Sequence, residues 1–366
     1  MTISGMKLFF VIKALNGIAG GAERVLCIIS SELADMGHDV TIVSFDHTSE
    51  NSFYPLSPNV KRMILGKKDP RHKSTIPEII SRMITMRRVI QQEKPDAVIG
   101  FMHSIFVPLA LSLIGTNIPV IASEHIVPQY YKQRRLEFLA MLFSSFFAKK
   151  ITVLSNPVKQ LYPSFIQPKM VIAPNPVCCF LPVQNRNKKN IILNVGRLDE
   201  QKDQKTLIDA FAILANRYPD WNLRIIGEGE LRNALEKQIK QLGLEKRVVL
   251  PGKNPSIEQE YAHADIFVLS SLYESFGLAT AEAMSFGLPA IGFADCPGTN
   301  EIIVDGLNGI LASSENRAHA LAGAMEKLIV SPEMRNNMGK EGIKSIEIYK
   351  PRSIALIWEN LIRQVL

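Results

Sequence analysis

Two acidic residues, Glu274 and Glu282, lie in a stretch whose residue types suit the binding of sugars and phosphates. The mainly apolar residues 264–270 precede them with the pattern of a buried strand. Gly277 follows, and we predict a glycine-containing turn and then a helix N-terminus, which directs backbone N–H groups at an anion. Carboxylates accept hydrogen bonds from sugar hydroxyls, while a helix end binds phosphate. The pattern therefore indicates a site for a nucleotide sugar, a ligand that carries both groups.

A second charged group, Arg197 and Lys202, lies in a glycine-led stretch between another predicted strand and helix. Arginine offers a bidentate fork to phosphate and lysine a compact charge, so together they can neutralise a pyrophosphate. If the bond from a sugar to that pyrophosphate breaks, the same charges stabilise the departing anion. The alternative is a solvated basic turn.

Two further features stand at the ends of predicted strands in the first half of the chain. Gly20 and Gly21 lie where the first strand turns into the first helix, and adjacent glycines permit positive φ and close backbone approach to a ligand. Their spacing matches neither a dinucleotide motif nor a P-loop, and a tight turn is the alternative. His125 follows the predicted strand at 120–123, with His103 as its competitor. A lone histidine is more often structural, and we expect an orienting role for either one.

Three motifs, taken in their order along the chain, resemble those of the retaining family 4 glycosyltransferases of GT-B fold. They are Gly20-Gly-Ala-Glu-Arg24, Gly196-Arg-Leu-Asp-Glu-Gln-Lys202 and the pair Glu274 and Glu282 with seven residues between them. The likeness covers nearly the whole chain. It implies an α/β fold with two Rossmann-like, doubly wound domains that face each other across a cleft.

The resemblance also implies roles for individual residues. Arg197 and Lys202 would hold the diphosphate, Glu274 would bind sugar hydroxyls, and Glu282 would bind the nucleotide ribose. His125 would contact the donor sugar, and it completes a catalytic set with Glu274, Arg197 and Lys202. The turn after a further strand would hold the base through backbone atoms, which leaves uracil or guanine open. The expected donor-binding positions, besides Glu282, are Gly20, Gly21, Gly196, Lys253, Asn254, Ser275, Phe276, Gly277 and Leu278.

The length of the chain, 366 residues, predicts two domains. Strand-like and helix-like segments alternate on both sides of a polar, proline-flanked stretch at 181–190, which we take as the linker. Alternation of this kind predicts parallel sheets covered by helices on both faces. We expect an acceptor-binding domain at 1–180 and a nucleotide-sugar-binding domain at 191–345. The resemblance implies that the amphipathic helix at 346–366 crosses back to the first domain.

Composition narrows the choice of partners. The net charge of +7 and the pI near 9.1 favour anionic partners, such as nucleotide phosphates or acidic lipid. Nucleic acid is disfavoured because aromatic residues make up only 7% and do not alternate with basic ones. The sequence contains no apolar run long enough to span a membrane and no signal-peptide pattern, so we expect a cytoplasmic protein. The spacing of the four cysteines predicts neither a zinc site nor a disulfide framework.

One segment, at 132–150, places basic residues at both ends of an apolar, phenylalanine-rich predicted helix. Such a helix can lie in the interface of an anionic membrane, or it can be a buried helix with charged ends, and both interpretations stay open. A basic loop region predicted at 61–73 adds positive charge to the same domain. Peripheral contact with the cytoplasmic face of an inner membrane is therefore one expectation.

The function expected from these residues and from the resemblance is sugar transfer with retention at the anomeric carbon. The donor would be a nucleotide diphosphate hexose or N-acetylhexosamine, with UDP ahead of GDP. The acceptor would be a lipid-linked saccharide in lipopolysaccharide, O-antigen or capsule biosynthesis. We expect neither a cofactor nor a metal, because two basic side chains and a helix end supply the positive charge. The alternatives are a nucleotide-sugar epimerase of related fold and a non-catalytic nucleotide-sugar-binding subunit.

Overall fold

The chain forms two compact units in a computed structural model. The model describes residues 5–17, 20–46, 52–66, 75–178, 189–254 and 256–366. Residues 1–176 and 351–366 make up unit 1, and residues 177–350 make up unit 2. The predicted linker at 181–190 falls almost wholly outside the described residues. The C-terminal segment predicted as a separate element thus belongs to unit 1 from residue 351 onward.

Unit 1 is built on a parallel sheet of seven strands in the order β3-β2-β1-β4-β5-β6-β7. The strands are β1 (Lys7–Ile12), β2 (Asp39–Ser44), β3 (Lys61–Ile64), β4 (Ala97–Phe101), β5 (Val120–Ser123), β6 (Lys150–Val153) and β7 (Met170–Ile172). The described helices are α1 (Gly21–Asp35), α2 (Ile76–Glu93), α3 (His103–Ser112), α4 (Arg135–Ser144), α5 (Asn156–Gln160) and the C-terminal helix Pro351–Arg363. A short 3₁₀ helix, Pro128–Gln133, precedes α4.

Two strands of unit 1 differ from the sequence-based expectations. The region predicted as a basic loop at 61–73 contains β3, which pairs with β2 at the edge of the sheet. β7 pairs with β6 at the opposite edge, and the sequence analysis did not identify it. Both are edge strands of three or four residues, and β3 opens with two basic residues, so neither shows the apolar run of a central strand. Residues 67–74 lie outside the described part of the chain.

Unit 2 is built on a parallel sheet of six strands in the order β10-β9-β8-β11-β12-β13. The strands are β8 (Ile191–Val195), β9 (Asn222–Ile226), β10 (Val248–Gly252), β11 (Ile266–Val268), β12 (Ala290–Phe293) and β13 (Gly309–Ala312). The described helices are α6 (Gln204–Ala215), α7 (Arg232–Gln241), α8 (Ile257–His263), α9 (Leu278–Ser285), α10 (Thr299–Ile302), α11 (Arg317–Val330) and α12 (Pro332–Ser345). Both units therefore have the Rossmann-like, doubly wound architecture that the alternation predicted.

The order of strands explains where a ligand can enter unit 2. From β8 the chain proceeds to β9 and β10 on one side of the sheet, and it then returns to β11 on the other side of β8. The loops that leave the carboxyl ends of β8 and β11 therefore diverge at a topological switch point, where open parallel sheets bind their ligands. The first loop contains the predicted motif at 196–202, and the second contains Glu274 and leads into α9, which carries Glu282.

The C-terminal helix, α13 (Pro351–Arg363), packs on α1 of unit 1. Trp358 is buried, and its ring lies 5.9 Å from the ring of Phe101 and 6.5 Å from that of Phe10. His38 lies 3.3 Å from Glu359 of the same helix. These contacts anchor the end of the chain to the first sheet, because large aromatic side chains bury much apolar surface.

Candidate active site

The central feature of unit 2 is an ion pair between the switch-point loops. Lys202 Nζ donates to Glu274 Oε1 at 2.5 Å, and Ser271 Oγ donates to the same oxygen at 2.6 Å. The side chains of Lys202 and Glu274 are only 16% and 9% exposed. A cation and a carboxylate so placed are both screened little by water, so each exerts a strong field on a ligand at this edge of the sheet.

Hydrogen bonds fix the backbone that presents Lys202. Its N–H donates to Asp199 Oδ1 at 3.1 Å, and its carbonyl oxygen accepts from Ser270 Oγ at 2.7 Å. Asp203 comes next and caps the N-terminus of α6, where its carboxylate accepts from the hydroxyl of Thr206 at 2.9 Å. Lys202 thus directly precedes the N-cap of a helix, and hydrogen bonds fix its backbone.

Arg197 is placed differently from Lys202. Its side chain is 70% exposed, and its guanidinium lies 3.0 Å from Asp199 Oδ2 and 3.2 Å from Gln201 Oε1. Gln201 Nε2 in turn donates to the carbonyl oxygen of Tyr273 at 2.9 Å, which ties the arginine loop to the glutamate loop. The predicted cationic pair is thus split in this structure, with Lys202 on Glu274 and Arg197 held near the surface.

Two glycines shape the loop from Ser275 to Leu278. Gly277 has φ +81° and occupies the N-cap position of α9, which begins at Leu278. Gly298 has φ +78°, and a Cβ there would lie 2.8 Å from both the carbonyl oxygen of Glu274 and the N of Phe276. Phe276 is buried and meets the ring of Tyr349 edge-on at 5.2 Å. The expected turn and helix start are therefore present, and Gly298 is what allows the loop to pack so closely.

Glu282 lies in α9 and is 6% exposed. The hydroxyl of Tyr261 donates to its Oε2 at 3.0 Å, and the ring of Tyr261 stacks on Phe286 at 5.5 Å. The carboxylate is held by an aromatic hydrogen-bond donor, which leaves its orientation well defined.

Arg317 connects the parts of this site, and the sequence analysis did not identify it. Its Nη2 donates to the carbonyl oxygens of Ser270 and Ser271 at 3.1 and 3.2 Å. Its Nε lies 3.6 Å from Asp203 Oδ2, and the guanidinium lies 3.5 Å from the ring centroid of Phe293. One side chain thus braces the residues next to Lys202 and the serine that contacts Glu274. The residue was missed because it opens α11, far along the chain from both motifs.

The remaining predicted positions of unit 2 directly follow β8 and β10. A Cβ at Gly196 would lie 3.3 Å from Lys202 Cδ, so the lysine stem runs over this glycine. Asn254 Nδ2 donates to Glu260 Oε1 at 2.8 Å, and its Oδ1 accepts from the N–H of Ser256 at 2.9 Å. Lys253 is exposed beside them. These contacts stabilise the turn after β10.

In unit 1, Gly20 and Gly21 stand at the N-terminus of α1. Gly20 is the N-cap residue and has φ −100°, an extended conformation, so Gly20 does not adopt the positive φ that a glycine permits. Gly17 has φ +65° instead. A Cβ at Gly20 would lie 2.0 Å from Glu23 Oε2, so the carboxylate of the first helical turn occupies the space above the glycine. Burial raises the pKa of Glu23.

His125 follows β5 on the carboxyl edge of the unit 1 sheet. Its Nε2 lies 2.9 Å from Ser123 Oγ, and its ring stacks on Phe101 with a centroid distance of 5.0 Å. Burial lowers the pKa of His125 to about 4, so the imidazole is neutral at pH 7. A neutral, stacked imidazole suits hydrogen bonding to a ligand better than it suits accepting a proton.

The neighbouring Glu124 is a buried carboxyl group that the sequence analysis did not consider. It accepts hydrogen bonds from Tyr131 Oη at 2.9 Å and from the N–H of Ile126 at 3.0 Å. Burial raises the pKa of Glu124 to about 7, against the lowering effect of these two donors. The competitor His103 begins α3 and lies 3.4 Å from Glu137, and burial lowers its pKa.

Neither a metal site nor a disulfide is found in the described part of the chain. No group of three or more metal-ligating side chains occurs there. Cys27, Cys178 and Cys296 are free, and burial raises the pKa of Cys27 and of Cys296 to about 12 each, so these two thiols are unreactive at neutral pH.

Comparison with known proteins identifies the class. Residues 19–179 match the profile of Glycosyltransferase Family 4, and residues 182–345 match that of Glycosyl transferases group 1. The chain therefore belongs to the glycosyltransferases of these families, as the motif resemblance suggested, and it is a glycosyltransferase of the type that builds bacterial polysaccharides.

Individual relatives agree with this class. The chain is 29% identical over 371 residues to a Campylobacter jejuni enzyme, GalNAc-alpha-(1->4)-GalNAc-alpha-(1->3)-diNAcBac-PP-undecaprenol alpha-1,4-N-acetyl-D-galactosaminyltransferase. That alignment covers 98% of this chain and 99% of the relative. Over 169 residues the chain is 34% identical to the lipopolysaccharide 1,6-galactosyltransferase of Salmonella typhimurium, which covers 45% of this chain and 42% of that enzyme.

Solved structures place the chain in the GT-B fold. Sucrose-phosphate synthase from Thermosynechococcus elongatus superposes with a TM-score of 0.86 at 19% identity and covers 98% of both chains. The Anabaena protein HepE, solved in complex with UDP and glucose, superposes with a TM-score of 0.77 at 19% identity over 97% of this chain and 99% of that one.

Proposed function

We propose that this protein transfers a hexose or N-acetylhexosamine from a UDP-sugar to a lipid-linked saccharide, with retention at the anomeric carbon. The observation that carries the proposal is the buried pair of Lys202 and Glu274 at the switch point of unit 2, in a chain that belongs to glycosyltransferase families. UDP is chosen over GDP because the Anabaena structure of the same fold contains UDP and glucose.

In the proposed reaction the donor diphosphate lies against Lys202 and the N–H groups of the loop from Ser275 to Leu278. Lys202 exchanges its contact with Glu274 for a phosphate oxygen, and Arg197, which is exposed, closes on the same diphosphate. Glu274, freed from the ammonium, accepts hydrogen bonds from sugar hydroxyls. The positive charges stabilise the leaving group as its bond to the sugar breaks.

The chemical step is a displacement on one face of the sugar. The bond between the anomeric carbon and the diphosphate oxygen breaks, and the bonding electrons remain on the diphosphate. The acceptor hydroxyl oxygen forms the new bond to the same face, and its proton passes to the departing diphosphate oxygen. Such a step retains the configuration and requires no enzyme carboxylate placed across the ring, which distinguishes it from double displacement.

The other site residues bind the donor in this proposal. Glu282 holds the ribose, and the turn with Lys253 and Asn254 holds the base through its backbone. Gly196 lets the lysine stem pass over β8. The unit 1 contributions are the helix start at Gly20 and Gly21 and the neutral imidazole of His125, which hydrogen-bonds the transferred sugar.

We propose that turnover needs neither a metal ion nor a cofactor, because cationic side chains and a helix N-terminus supply the positive charge that a metal would otherwise bring. The test is UDP release in the presence of EDTA. Unchanged turnover supports the proposal, whereas activity that is lost in EDTA and restored by Mn²⁺ contradicts it.

The proposed acceptor is a saccharide linked to a polyprenyl diphosphate or a related lipid, as in the name of the Campylobacter relative. We propose that the protein meets this acceptor at the cytoplasmic face of the inner membrane.

The experiment that tests the proposed function measures UDP release from UDP-GalNAc, UDP-GlcNAc, UDP-glucose and UDP-galactose, with and without a polyprenyl-diphosphate oligosaccharide. We expect rapid release with one donor only when acceptor is present, and a product whose new bond has the α configuration of the donor by NMR. A β-linked product excludes retention. An altered donor sugar formed without acceptor identifies an epimerase, and binding without turnover of any donor identifies a non-catalytic subunit.

A further inference from the structure

Helix α4 of unit 1 carries an apolar stripe that faces solvent. Leu136, Leu139 and Phe143 are 83%, 60% and 56% exposed and recur at the spacing of one helix face. Phe146, 62% exposed, continues the stripe beyond the end of the helix, and Phe165 stacks on it at 6.2 Å. Soluble proteins rarely expose so many large apolar side chains side by side, so this stripe indicates a contact surface.

The stripe rests on a rigid support. The opposite face of α4 is buried at Met141 and Ser144. Lys169 Nζ donates to the carbonyl oxygens of Ser145, Phe146 and Ala148 at 2.9, 2.9 and 3.0 Å, which fixes the segment that follows α4. The aromatic residues are therefore held outward by the fold itself.

A second apolar stripe lies on α2. Ile76, Ile80 and Ile84 are 74%, 51% and 56% exposed. Helix α3 packs against both α2 and α4. The three helices belong to successive connections of the same parallel sheet, and right-handed crossovers place them on one side of it. We call the exposed surface of α2 and α4 the α2–α4 face.

Basic side chains border this face. The segment 128–150 contains five basic residues and one acidic residue, a net charge of +4. Lys132, Arg135 and Lys149 are exposed, whereas the acidic residue, Glu137, is paired with Arg134 at 3.7 Å. Apolar side chains flanked by lysine and arginine fit the interface of an anionic lipid layer, where head groups neutralise the cations and acyl chains receive the apolar residues.

Two other occupants fit less well. A second copy of the chain would present the same positive charge, so self-association through this face would bring like charges together. Insertion across a membrane is not supported either, because no helix in the described ranges is long and apolar enough to span one.

We infer that the α2–α4 face docks on an anionic lipid surface, with Leu136, Leu139, Phe143 and Phe146 as the inserted side chains. The choice of a lipid partner rests in part on the proposed lipid-linked acceptor. The exposure of the two stripes is independent of that proposal. Docking in this way would hold unit 1 against the surface in which such an acceptor resides.

The test is flotation of the full-length protein with vesicles of phosphatidylcholine alone or with added phosphatidylglycerol, at low and high NaCl. We expect binding at least roughly tenfold stronger to the anionic vesicles at low salt and a marked loss at high salt. The triple variant Leu139→Ser, Phe143→Ser, Phe146→Ser should lose binding.

A matched control removes exposed apolar residues from unit 2, Val304→Ser, Leu307→Ser and Leu242→Ser, which are 49%, 49% and 42% exposed in the wild type. It should bind vesicles like the wild type. Equal binding by the α4 triple variant, or no binding of the wild type at low salt, overturns the inference. A dimer in solution that only the α4 triple variant dissociates would identify a second copy as the occupant and would also overturn it.

Failure of docking and failure of the proposed function are separable. The thermal shift produced by UDP in the absence of vesicles reports the donor site alone. We expect the α4 triple variant to keep this shift, which also shows that the variant is folded. Loss of vesicle binding with an intact UDP shift therefore supports the docking face whatever the acceptor proves to be.

Discussion

Replacing Lys202 by methionine tests the central pair of the site in two independent ways. The variant removes the ammonium but keeps a side chain of similar length over Gly196. It leaves Glu274 buried, with the hydroxyl of Ser271 still donating to its carboxylate. We expect this variant to lose both stability and donor turnover. Adding a second substitution, Glu274→Gln, gives a double variant that should separate the two losses.

The size of the stability loss follows from burial. Removing one partner of a fully buried ion pair costs about 3–5 kcal/mol, because the remaining charge is left without compensation. Lys202 is 16% exposed and Ser271 still donates to the carboxylate, so we expect a smaller loss of about 2–3 kcal/mol. The double variant has no buried charge at either position, and its free energy of unfolding should lie within about 1 kcal/mol of the wild type.

Turnover should respond differently. The single and the double variant both lack the cation proposed to face the leaving diphosphate, and loss of one such group lowers kcat by about 10²–10³-fold. Restored stability should therefore not restore activity. The charges of both partners set the effect on stability, whereas loss of the ammonium should be enough to lower turnover.

The assays are urea unfolding and UDP release under donor saturation. Lys344→Met is the control, since Lys344 forms a surface pair with Glu341 at 2.7 Å and is 70% exposed, and its loss should cost less than about 1 kcal/mol. The reasoning is refuted if the double variant is as unstable as the single one, because the loss would then not come from an unpaired charge. Turnover of Lys202→Met above half the wild-type value would refute the assignment of the ammonium to the leaving group.

Three further predictions test the supports of the site and a buried acid. Arg317→Gln should lower the free energy of unfolding by about 2–3 kcal/mol and turnover by roughly tenfold or more, because the side chain contacts residues of both switch-point loops. An unchanged kcat in UDP release assays would show that these contacts are not needed for turnover. Gly298→Ala should reduce turnover and stability far more than Gly306→Ala. Both glycines have a positive φ, but only at Gly298 would the new Cβ meet backbone atoms, at 2.8 Å. Equal losses of stability in urea unfolding would argue against this close packing. Burial raises the pKa of Glu124 to about 7 in the folded state, so the stability that its protonated form contributes is fully present below the unfolded pKa and is lost as the pH rises through 7. The free energy of unfolding of Glu124→Gln should therefore rise by up to about 3 kcal/mol relative to that of the wild type between pH 5 and pH 8. A pH-independent difference in urea unfolding would contradict the raised pKa.

Much of the fold follows from local patterns in the sequence. The strands Lys7–Ile12 and Ile191–Val195 are mainly apolar runs, and the helix Ile76–Glu93 begins at a capping box formed by Thr75 and Glu78. The predicted helix at 132–150 is shorter in the structure, Arg135–Ser144. It also proves to be exposed, which periodicity alone could not determine, since an apolar stripe fits a core and an interface equally well.

Local sequence patterns could not predict which side chains of the site contact each other. Lys202 and Glu274 were each identified, but the lysine was grouped with Arg197 because the two are near in sequence. The contact between Lys202 and Glu274 depends on β8 and β11 being neighbours, and strand order is a property of the whole sheet. Arg317 and Gly298 were missed for the same reason, since their partners lie on other connections.

The strand orders of the two units indicate that their switch points suit different ligand groups. Each sheet has a switch point, between β8 and β11 in unit 2 and between β1 and β4 in unit 1. In unit 2 the described groups at this point are a buried ammonium and a carboxylate, which suit a charged diphosphate. In unit 1 the carboxyl edge offers a glycine N-cap and, after β5, a histidine that is neutral at pH 7. Because a neutral imidazole exchanges hydrogen bonds with hydroxyls without attracting phosphate, this edge of unit 1 suits sugar hydroxyls, whereas the ammonium of unit 2 suits a leaving diphosphate and Glu274 beside it suits sugar hydroxyls.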